Sequence, residues 1–400
     1  MKKNVVLFFI LIFTIQFTTA QQAESRVITT GVPFLLVAAD SRSAGMADQG
    51  VATAPDAFSQ QWNPAKYAFS IDKQGFSTSY TPYLTSLVND ISLGQVTYYN
   101  RINERSAFAG TLRYFGLGEI ELRQYAEDVP NIVKPSELAL DGSYSLKLSE
   151  HFAMAVGGRY IRSSLRIPSA DGGNASAATA FCFDLAGFYQ GEESAFTDFN
   201  GRLRLGFNFQ NMGPKINYDG GATSDTGSAN FLPANLRIGG GYDFIFDEYN
   251  KISVSLELAK LMVPTPPNSD LNGNGYIDAG EETTLYNQNK IDYNSTNWVS
   301  GIFKSFTQSP GGFAEKIKEV TYSVGTEYVY QDSFSLRLGY FHESPEKGAR
   351  KFFSLGAGFK YNVVKVDVSY LFSASSVKNP LENTLRFSLT FNFGDKYQDY

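Results

Sequence analysis

Apolar and polar side chains alternate along the last long segment of the chain. Between residues 384 and 393, leucine or phenylalanine occupies every second position, and Arg386, Ser388, Thr390 and Asn392 lie between them. Because side chains along a strand point to opposite faces with a period of two, this segment has one apolar and one polar face. The apolar face would pack into the core of a soluble sandwich, or face lipid in a membrane barrel with a polar lumen.

The same alternation recurs in segments 202–210, 252–258, 335–340 and 364–370. Each segment is roughly the length of a tilted membrane strand, ~10 residues. No charged residue interrupts the apolar face of any of them. Because a charge on the lipid face costs ~2–4 kcal/mol at the bilayer midplane, this pattern favours a membrane barrel.

Short and long connections alternate between the predicted strands. Short turns fall near residues 149, 247–250, 331 and 362, and longer links at 168–175, 212–231, 263–297, 342–351 and 373–383, with an intermediate link at 190–200 on the short side. Bacterial barrels have short periplasmic turns and long outer loops. We therefore expect both ends of the barrel to lie in the periplasm, with residues 394–400 as a periplasmic tail.

The strand count follows from these connections. Eleven strands fit between about residues 137 and 393, and three candidates precede them, at 75–83, 91–100 and a long, kinked 107–125. We predict an all-β fold: a transmembrane antiparallel β-barrel of about fourteen strands over residues 73–393, with long extracellular loops. Twelve or sixteen strands are the alternatives, because bacterial barrels have even numbers.

The N-terminal segment has the features of a secretory signal peptide. Lys2 and Lys3 precede an apolar run from 5 to 17, and the small residues Thr18, Thr19 and Ala20 follow it. This run is shorter than the ~20 residues that a membrane-spanning helix needs, so an anchoring helix is the weaker interpretation. We predict a signal peptide over residues 1–20, removed on export.

Residues 21–72 precede the first predicted strand and do not alternate. Segment 43–58 is rich in small residues and helical in character, and 32–39 is apolar. A segment in this position can fold into a barrel lumen as a plug. We predict such a plug; a mobile periplasmic extension is the alternative.

The composition agrees with a membrane barrel and argues against two other classes. Aromatic residues make up 15% of the chain and charged residues only 18%, below the ~25% of ordinary soluble domains. The net charge of −6 gives no basic surface for nucleic acid. Cys182 is the only cysteine, which excludes an internal disulfide.

Oxygen-bearing residues in DLNGNGYIDAGE, residues 270–281, follow the spacing of a calcium loop. The six ligand positions are Asp270, Asn272, Asn274, the backbone carbonyl of Tyr276, Asp278 and Glu281. Gly275 occupies the sixth position, where such loops turn sharply. We predict a Ca²⁺ site within a long extracellular loop at 265–297, which the ion would order; a polar loop without metal is the alternative.

Candidate catalytic groups are sparse. His151 and His342 are the only histidines, and the predicted topology places them at opposite ends of the barrel, so they cannot easily share a catalytic triad. The glycines at 239–241 lie in a strand, where close packing or a bend explains them better than a phosphate loop. For Arg202, Arg204, Arg337 and Arg386, we favour mutual pairing with lumen carboxylates over anion binding.

The stretch AGMADQGVATAPDAFSQQWNPAKYAF, residues 44–69, resembles the N-terminal hatch of the FadL-like fatty-acid transporter family. The likeness includes Asn63, Pro64 and Ala65, and implies a fourteen-stranded barrel with a plug. Two further stretches, VPFLLVAADSRSAGMADQGVA and YTPYLTSLVNDISLGQVTYYNRINERSAFAGTLRYFGLGEIELR, resemble the PorV (LptO) family, the outer-membrane barrels of the type IX secretion system of Bacteroidetes. This second likeness extends over residues 27–400.

The resemblance implies a non-enzymatic role in protein secretion. Such barrels accept cargo from the type IX translocon by binding its C-terminal sorting domain, and deliver it to a surface attachment complex that contains the sortase PorU. No binding residues can be carried over. The alternative is a FadL-like transporter of hydrophobic small molecules, which would have an apolar lumen pocket and a lateral opening between strands.

Overall fold

The computed structural model describes residues 27–397, except 86, 87, 89, 124–126, 128, 166–176, 219–228 and 376–378. The predicted signal peptide, the predicted loop at 168–175 and the last three residues of the predicted tail lie outside the described residues. Parts of the predicted links at 212–231 and 373–383 also lie outside them.

Antiparallel strands form one closed wall. The main sheet has fifteen strands, and all except the two-residue strand Ser194–Ala195 belong to this wall. The wall strands are β1 Asp72–Pro82, β2 Ile91–Arg101, β3 Ser106–Leu117, β4 Ser136–Lys147, β5 Phe152–Ser164, β6 Ala178–Gln190, β7 Asn200–Met212, β8 Asn235–Ile245, β9 Asn250–Leu261, β10 Val320–Tyr330, β11 Phe334–His342, β12 Lys351–Tyr361, β13 Val364–Ser373 and β14 Leu385–Lys396. Strand β1 pairs with β14 as well as with β2, which closes the ring. The predicted fourteen-stranded antiparallel barrel is confirmed.

The two faces of the wall have opposite chemistry, as the alternation predicts. On β14, Leu385 and Phe387 are exposed on the outside, whereas Arg386 and Ser388 are buried in the lumen. Outward-facing aromatic side chains gather near both ends of the strands, as in the ring pairs Tyr160–Phe181, Tyr340–Phe353, Tyr98–Phe108 and Phe334–Phe359. Such aromatic girdles flank the apolar band of outer-membrane barrels.

Connections at the two ends of the barrel differ in length. One end has the short turns 102–105, 148–151, 246–249, 331–333 and 362–363, together with the intermediate link 191–199. The other has the connections 83–90, 118–135, 165–177, 213–234, 262–319, 343–350 and 374–384. We call these the short-turn end and the long-loop end. The chain enters β1 and leaves β14 at the short-turn end, so the predicted alternation is confirmed.

Two predicted strand ends are wrong. The strand predicted over 107–125 leaves the wall after Leu117, because Gly118 adopts a left-handed conformation with φ +77°. The chain then continues in a separate small ladder, in which Ile120–Leu122 pairs with Asn131–Val133. At the C-terminus, β14 runs to Lys396, so residues 394–396 are strand rather than tail.

The segment before β1 folds inside the lumen. It contains the short helices α1 Ser41–Ala44 and α2 Ser59–Trp62 and the 3-10 helices Pro33–Leu36 and Pro64–Phe69. Nearly all of residues 38–70 are buried, and their polar groups bond to inward-facing residues of the wall such as Ser388 and Glu257. We call residues 32–70 the plug.

The connection between β9 and β10 is the longest of the described connections. It contains α3 Glu281–Ser295, α4 Trp298–Thr307 and α5 Gly312–Lys318, and extends to residue 319 rather than to the predicted 297. The 3-10 helix Pro345–Lys347 lies in the neighbouring connection between β11 and β12. Among the described residues, no helix is both long and apolar enough to cross a membrane.

Candidate functional site

Arg42 connects the plug to the barrel wall through buried ion pairs. Its Nε and Nη2 donate to the two carboxylate oxygens of Glu327 on β10, at 3.1 and 2.7 Å. Its Nη1 donates to Asp56 at 2.6 Å and to the carbonyl of Ala54 at 2.9 Å. One guanidinium therefore joins two parts of the plug to the wall. Hydrogen bonds between ionised groups are stronger than neutral ones, especially when they are bidentate.

The ion pairs continue along the lumen wall. Glu327 also accepts from Nε of Arg337 at 2.7 Å, and Arg337 pairs with Asp367 at 2.8 Å. Other arginine–carboxylate pairs in the lumen are Arg113–Asp141, Arg159–Asp141, Arg159–Asp184, Arg204–Asp243, Arg237–Glu257 and Arg386–Asp48. Arg202 pairs with Glu193 near the short-turn end. The predicted pairing within the lumen is thus confirmed for Arg204, Arg337 and Arg386, whereas the carboxylate partner of Arg202 lies in the link at the short-turn end.

The Asn63-Pro64-Ala65 element fixes the plug to a second part of the wall. The Asn63 amide nitrogen donates to the carbonyls of Val51 and Gly187 at 2.9 Å each, and its side-chain oxygen accepts from the Ala65 N–H at 3.1 Å. Asn63 thereby caps the 3-10 helix that Pro64 begins, a position where proline needs no N–H partner. Its side chain joins two parts of the plug to strand β6.

Glycines of the wall leave space for the backbone of the plug. A Cβ added at Gly239 would lie 2.7 Å from Val51, and one at Gly241 would lie 2.9 Å from the carbonyl oxygen of Ala52. At Gly339 an added Cβ would collide with the backbone of Met46 and Ala47. The prediction of close packing at 239–241 is therefore correct.

Cavities lie on both sides of the plug. The cavity at the long-loop end has a volume of about 460 Å³ and combines apolar side chains, such as Tyr83, Phe341 and Leu381, with charged ones, such as Glu343 and Arg350. The cavity at the short-turn end measures about 240 Å³, and many of its lining residues are charged. The plug separates these two spaces.

The predicted calcium loop folds back on itself at the long-loop end. The Asp270 carboxylate accepts from the N–H groups of Gly273 and Gly275, each at 2.7 Å. The amides of Asn272 and Asn274 donate to the same Asp278 oxygen, at 2.8 and 3.0 Å. Three of the predicted ligand side chains thus converge, and Gly275 has the positive φ of +84° that a sharp turn requires.

The two glutamates at the start of α3 have different surroundings. Glu281, the predicted twelfth ligand, is exposed, whereas Glu282 is buried and accepts from the N–H groups of Leu271, Asn272 and Asp278. Glu282 was not among the predicted ligands, although the sequence has adjacent glutamates at 281 and 282. Within the described ranges, no three Asp, Glu, His or Cys side chains are grouped as metal ligands would be.

The insertion that carries this loop is anchored to its neighbours by Tyr293 of α3. Its hydroxyl donates to the carbonyl of Pro264 at 3.1 Å, and burial raises the pKa of Tyr293 to about 12. Its ring packs edge-on against Phe231 with centroids 5.5 Å apart. Lys215 donates to the carbonyls of Tyr293 and Asn294. The insertion is thereby joined to the connection between β7 and β8.

The two histidines lie at opposite ends of the barrel, as predicted. His151 is in the short turn before β5, 3.2 Å from the carbonyl of Gln190. His342 ends β11 at the long-loop end, where its ring stacks on Tyr322 with centroids 4.7 Å apart. The structure therefore does not bring them into one site.

Comparison with known families identifies this barrel. The model of the type IX secretion system protein PorV matches residues 20–268, more than half of the chain. The chain belongs to the PorV family. A PorV-family barrel belongs to the type IX secretion machinery and lies in the outer membrane. The expected family and the expected outer-membrane location are therefore confirmed. No curated protein matches the sequence.

Solved structures share the fold of this PorV-family barrel at low sequence identity. The toluene transporter TodX of P. putida has a TM-score of 0.50 at 12% identity, over 88% of this chain and 97% of its own. A deltaS2S3 mutant of the TodX monoaromatic hydrocarbon channel has the same TM-score and identity, over 88% and 98%. A Pseudomonas aeruginosa FadL homologue has a TM-score of 0.46 at 14% identity, over 90% and 99%. The TodX matches show a FadL-like fold.

Proposed function

We propose that this PorV-family barrel binds the C-terminal sorting domain of secreted cargo. In this role it accepts cargo from the type IX translocon and delivers it to the attachment complex that contains the sortase PorU. The role is non-enzymatic. The observation that carries the proposal is a lumen occupied by an ion-paired plug in a barrel of this family. Because the FadL-like transporters also have a plug, the support comes from the family match and from the buried ion pairs that hold this plug to the wall, rather than from the presence of a plug.

The long-loop end is the proposed cargo surface. It carries the long connections and the 460 Å³ cavity, in which Tyr83, Phe341 and Leu381 lie beside Glu343 and Arg350. Protein interfaces combine an apolar centre with a polar rim, and this mouth has both. In outer-membrane barrels the long loops are extracellular. In this proposed orientation both chain ends lie in the periplasm.

A FadL-like transporter of hydrophobic small molecules is the second candidate. One observation favours it: the pairing of β6 with β7 shifts register between Phe209 and Met212, an irregularity in the wall. Just inside this point, however, Asn208 and Gln210 donate to the carbonyls of Trp62 and Gln61 in the plug. A route for an apolar solute would have to break these polar contacts.

We further propose that Ca²⁺ binds Asp270, Asn272, Asn274, the Tyr276 carbonyl, Asp278 and Glu281 and orders the insertion between β9 and β10. The support is the ligand spacing, the positive φ of Gly275 and the convergence of Asn272, Asn274 and Asp278. Hard oxygen ligands suit calcium. On binding, the oxygens of Asp270 and Asp278 would exchange their present hydrogen bonds for the ion.

The proposed function is tested in a strain that lacks the gene and is complemented with variants. The measurement is a proteome of the cell surface and medium, followed for proteins with C-terminal sorting domains. We expect such proteins to vanish from the surface, or to accumulate with the sorting domain uncut, and the wild-type gene to restore them. Normal sorting together with reduced uptake of a hydrophobic nutrient would overturn the proposal in favour of transport.

A matched pair of variants tests the cargo surface. Leu36→Trp adds bulk to the long-loop cavity, and Tyr249→Trp adds an indole in an exposed short turn at the other end. We expect the first to lower surface arrival of cargo several-fold at unchanged barrel abundance, and the second to leave it unchanged. Equal sorting by both variants would exclude this cavity as the cargo surface.

A further inference from the structure

Two helices of the insertion between β9 and β10 expose their apolar side chains. They are α4 and α5, and their outward residues form a surface of Val299, Phe303, Phe306, Phe313 and Ile317. We propose that this surface, which we call the apolar ledge, is buried among the acyl chains of the membrane leaflet at the long-loop end. The ledge would be a second membrane contact, outside the barrel wall.

The polarity of α4 is the reverse of that of a helix packed on a soluble core. Gly301 and Ser305, four positions apart, are buried against the protein, and a Cβ on Gly301 would press on Phe231. Val299, Phe303 and Phe306 follow the helical spacing on the outward side, where Phe303 is 68% exposed. A helix on a water-exposed domain buries its apolar stripe instead.

Helix α5 repeats this reversal. Its Glu315 is buried and accepts from Lys347 at 2.6 Å, so a charged group occupies the inward face. Phe313 and Ile317, four positions apart, point outward and are 80% and 58% exposed. An unpaired charge would not be buried in this way, but an ion pair can be. Two consecutive helices therefore turn large apolar residues outward and bury small or charged ones, and the one exposed lysine of α5, Lys318, pairs with Glu346.

The ledge is continuous with the lipid-facing wall of the barrel. At the start of α4, the Trp298 ring packs edge-on against Phe183 of β6, with centroids 6.2 Å apart. Phe183 faces outward, next to the Tyr160–Phe181 pair of the aromatic girdle at the long-loop end. Tryptophan is enriched at this depth of a membrane. The ledge thus begins at the level where the wall meets the interface.

Lipid explains this surface better than a protein partner. The ledge extends the outer surface of the wall, whereas the proposed cargo cavity opens inside the mouth of the barrel. Amphipathic helices with exposed aromatic and aliphatic side chains lie in the interfacial region of bilayers. Exposed apolar patches of this kind are uncommon on surfaces that contact only water. The occupant is therefore the acyl region of the outer leaflet, in the orientation proposed above.

Spin-label accessibility in nanodiscs tests the ledge in the full chain. With Cys182 replaced by alanine, single labels are placed through Phe303→Cys and Phe313→Cys. Leu256→Cys on the lipid-facing wall is the hydrocarbon reference, and Asn287→Cys on the exposed side of α3 is the aqueous reference. The measurement compares power saturation by oxygen, which concentrates in lipid, with that by a water-soluble nickel chelate.

We expect labels at 303 and 313 to be accessible to oxygen and shielded from nickel, as at 256. Nickel accessibility equal to that at 287 would overturn the proposal, because the ledge would then be exposed to water and its partner would be a protein rather than lipid. As a second readout, brominated lipid should quench Trp298 in the wild type, and the double variant Phe303→Ser/Phe313→Ser should reduce that quenching at least twofold. Quenching that the double variant leaves unchanged would also contradict the proposal.

Discussion

Arg42 of the plug and Glu327 of β10 are joined by two parallel hydrogen bonds of 3.1 and 2.7 Å across the boundary between plug and wall. Both side chains are less than a tenth exposed. A buried pair of this kind contributes little beyond what well-packed apolar residues would, but loss of one partner leaves an uncompensated charge. The attachment of the plug to the wall therefore depends on both residues.

Replacing Glu327 by glutamine should destabilise the protein strongly. The change leaves the guanidinium of Arg42 with Asp56 alone and removes the carboxylate from Arg337. We expect a loss of ~3–5 kcal/mol in the free energy of unfolding, because two buried guanidiniums lose the carboxylate that they share and each keeps only one carboxylate partner. Denaturant unfolding in detergent micelles, followed by tryptophan fluorescence, measures this loss, since Trp62 of the plug is buried.

The exposed pair Lys73–Asp395 is the matched control. Its atoms are 3.3 Å apart, and Asp395 is 88% exposed, so Lys73→Met should change the unfolding free energy by less than ~1 kcal/mol. The double variant Arg42→Met/Glu327→Gln should recover part of the loss. Equal effects of the buried and exposed single variants would contradict the importance of the buried pair.

A disulfide between plug and wall distinguishes secretion from transport. The hydroxyl oxygens of Ser41 and Ser388 are 3.2 Å apart, so Ser41→Cys/Ser388→Cys, with Cys182 replaced by alanine, should form a bridge after small side-chain rotations. We expect cargo sorting to continue with the plug locked. A transporter whose plug must move would lose uptake when oxidised and regain it on reduction. The single variant Ser41→Cys is the control for the substitution itself.

Alanine at Gly339 should disturb the plug, whereas alanine at Gly142 should not. A methyl group at 339 would collide with the backbone of Met46 and Ala47. A methyl group at 142 would meet no described atom within 4 Å apart from those of its own chain neighbours. We expect a loss of ~1–3 kcal/mol in stability for Gly339→Ala from overpacking, and a change below ~1 kcal/mol for Gly142→Ala. Hydrogen exchange should become faster in residues 43–53 only in the first variant. Unchanged hydrogen exchange in residues 43–53 would show that the added methyl group displaces the wall instead of the plug.

Calcium titration tests the loop at 270–281. Calorimetry on the purified barrel should give a dissociation constant of ~10⁻⁴–10⁻³ M, typical of extracellular sites. Asp278→Asn should weaken binding at least tenfold, whereas Asp292→Asn, in the exposed part of α3, should not. Comparison of Glu281→Gln with Glu282→Gln decides which glutamate completes the site. If removal of either Asp270 or Asp278 leaves the heat of binding unchanged, the loop is not the calcium site.

The sequence predicts the wall of this barrel better than it predicts its interior. Alternation is a local property, so the apolar and polar faces of β14 can be identified between residues 384 and 393 without any partner. Connection lengths then yield the fourteen strands. The break after Leu117 was harder to place, because apolar residues recur beyond Gly118, at Ile120 and Leu122.

Partners in the lumen could not be predicted because they are far apart in sequence. Arg42 and Glu327 are separated by 285 positions, and only the closed ring brings them together. The reversed polarity of α4 was invisible for another reason. An apolar stripe that contains Val299, Phe303 and Phe306 has the same spacing whether it packs on a core or faces lipid. The burial of Gly301 and Ser305 against the protein shows that the apolar stripe of α4 faces outward.

The closing pair of strands has a consequence for the order of assembly. Lys73 of β1 and Asp395 of β14 are 322 positions apart but in contact, whereas the plug directly precedes β1 in the chain. Its partners Glu257, Glu327 and Ser388 lie on strands that are synthesised much later. A ring that closed without the plug would leave Glu327 with Arg337 but without Arg42, and would leave Glu257 without the two plug N–H groups that it accepts. The contacts of the plug are therefore complete only when β14, the last strand of the wall, has taken its place.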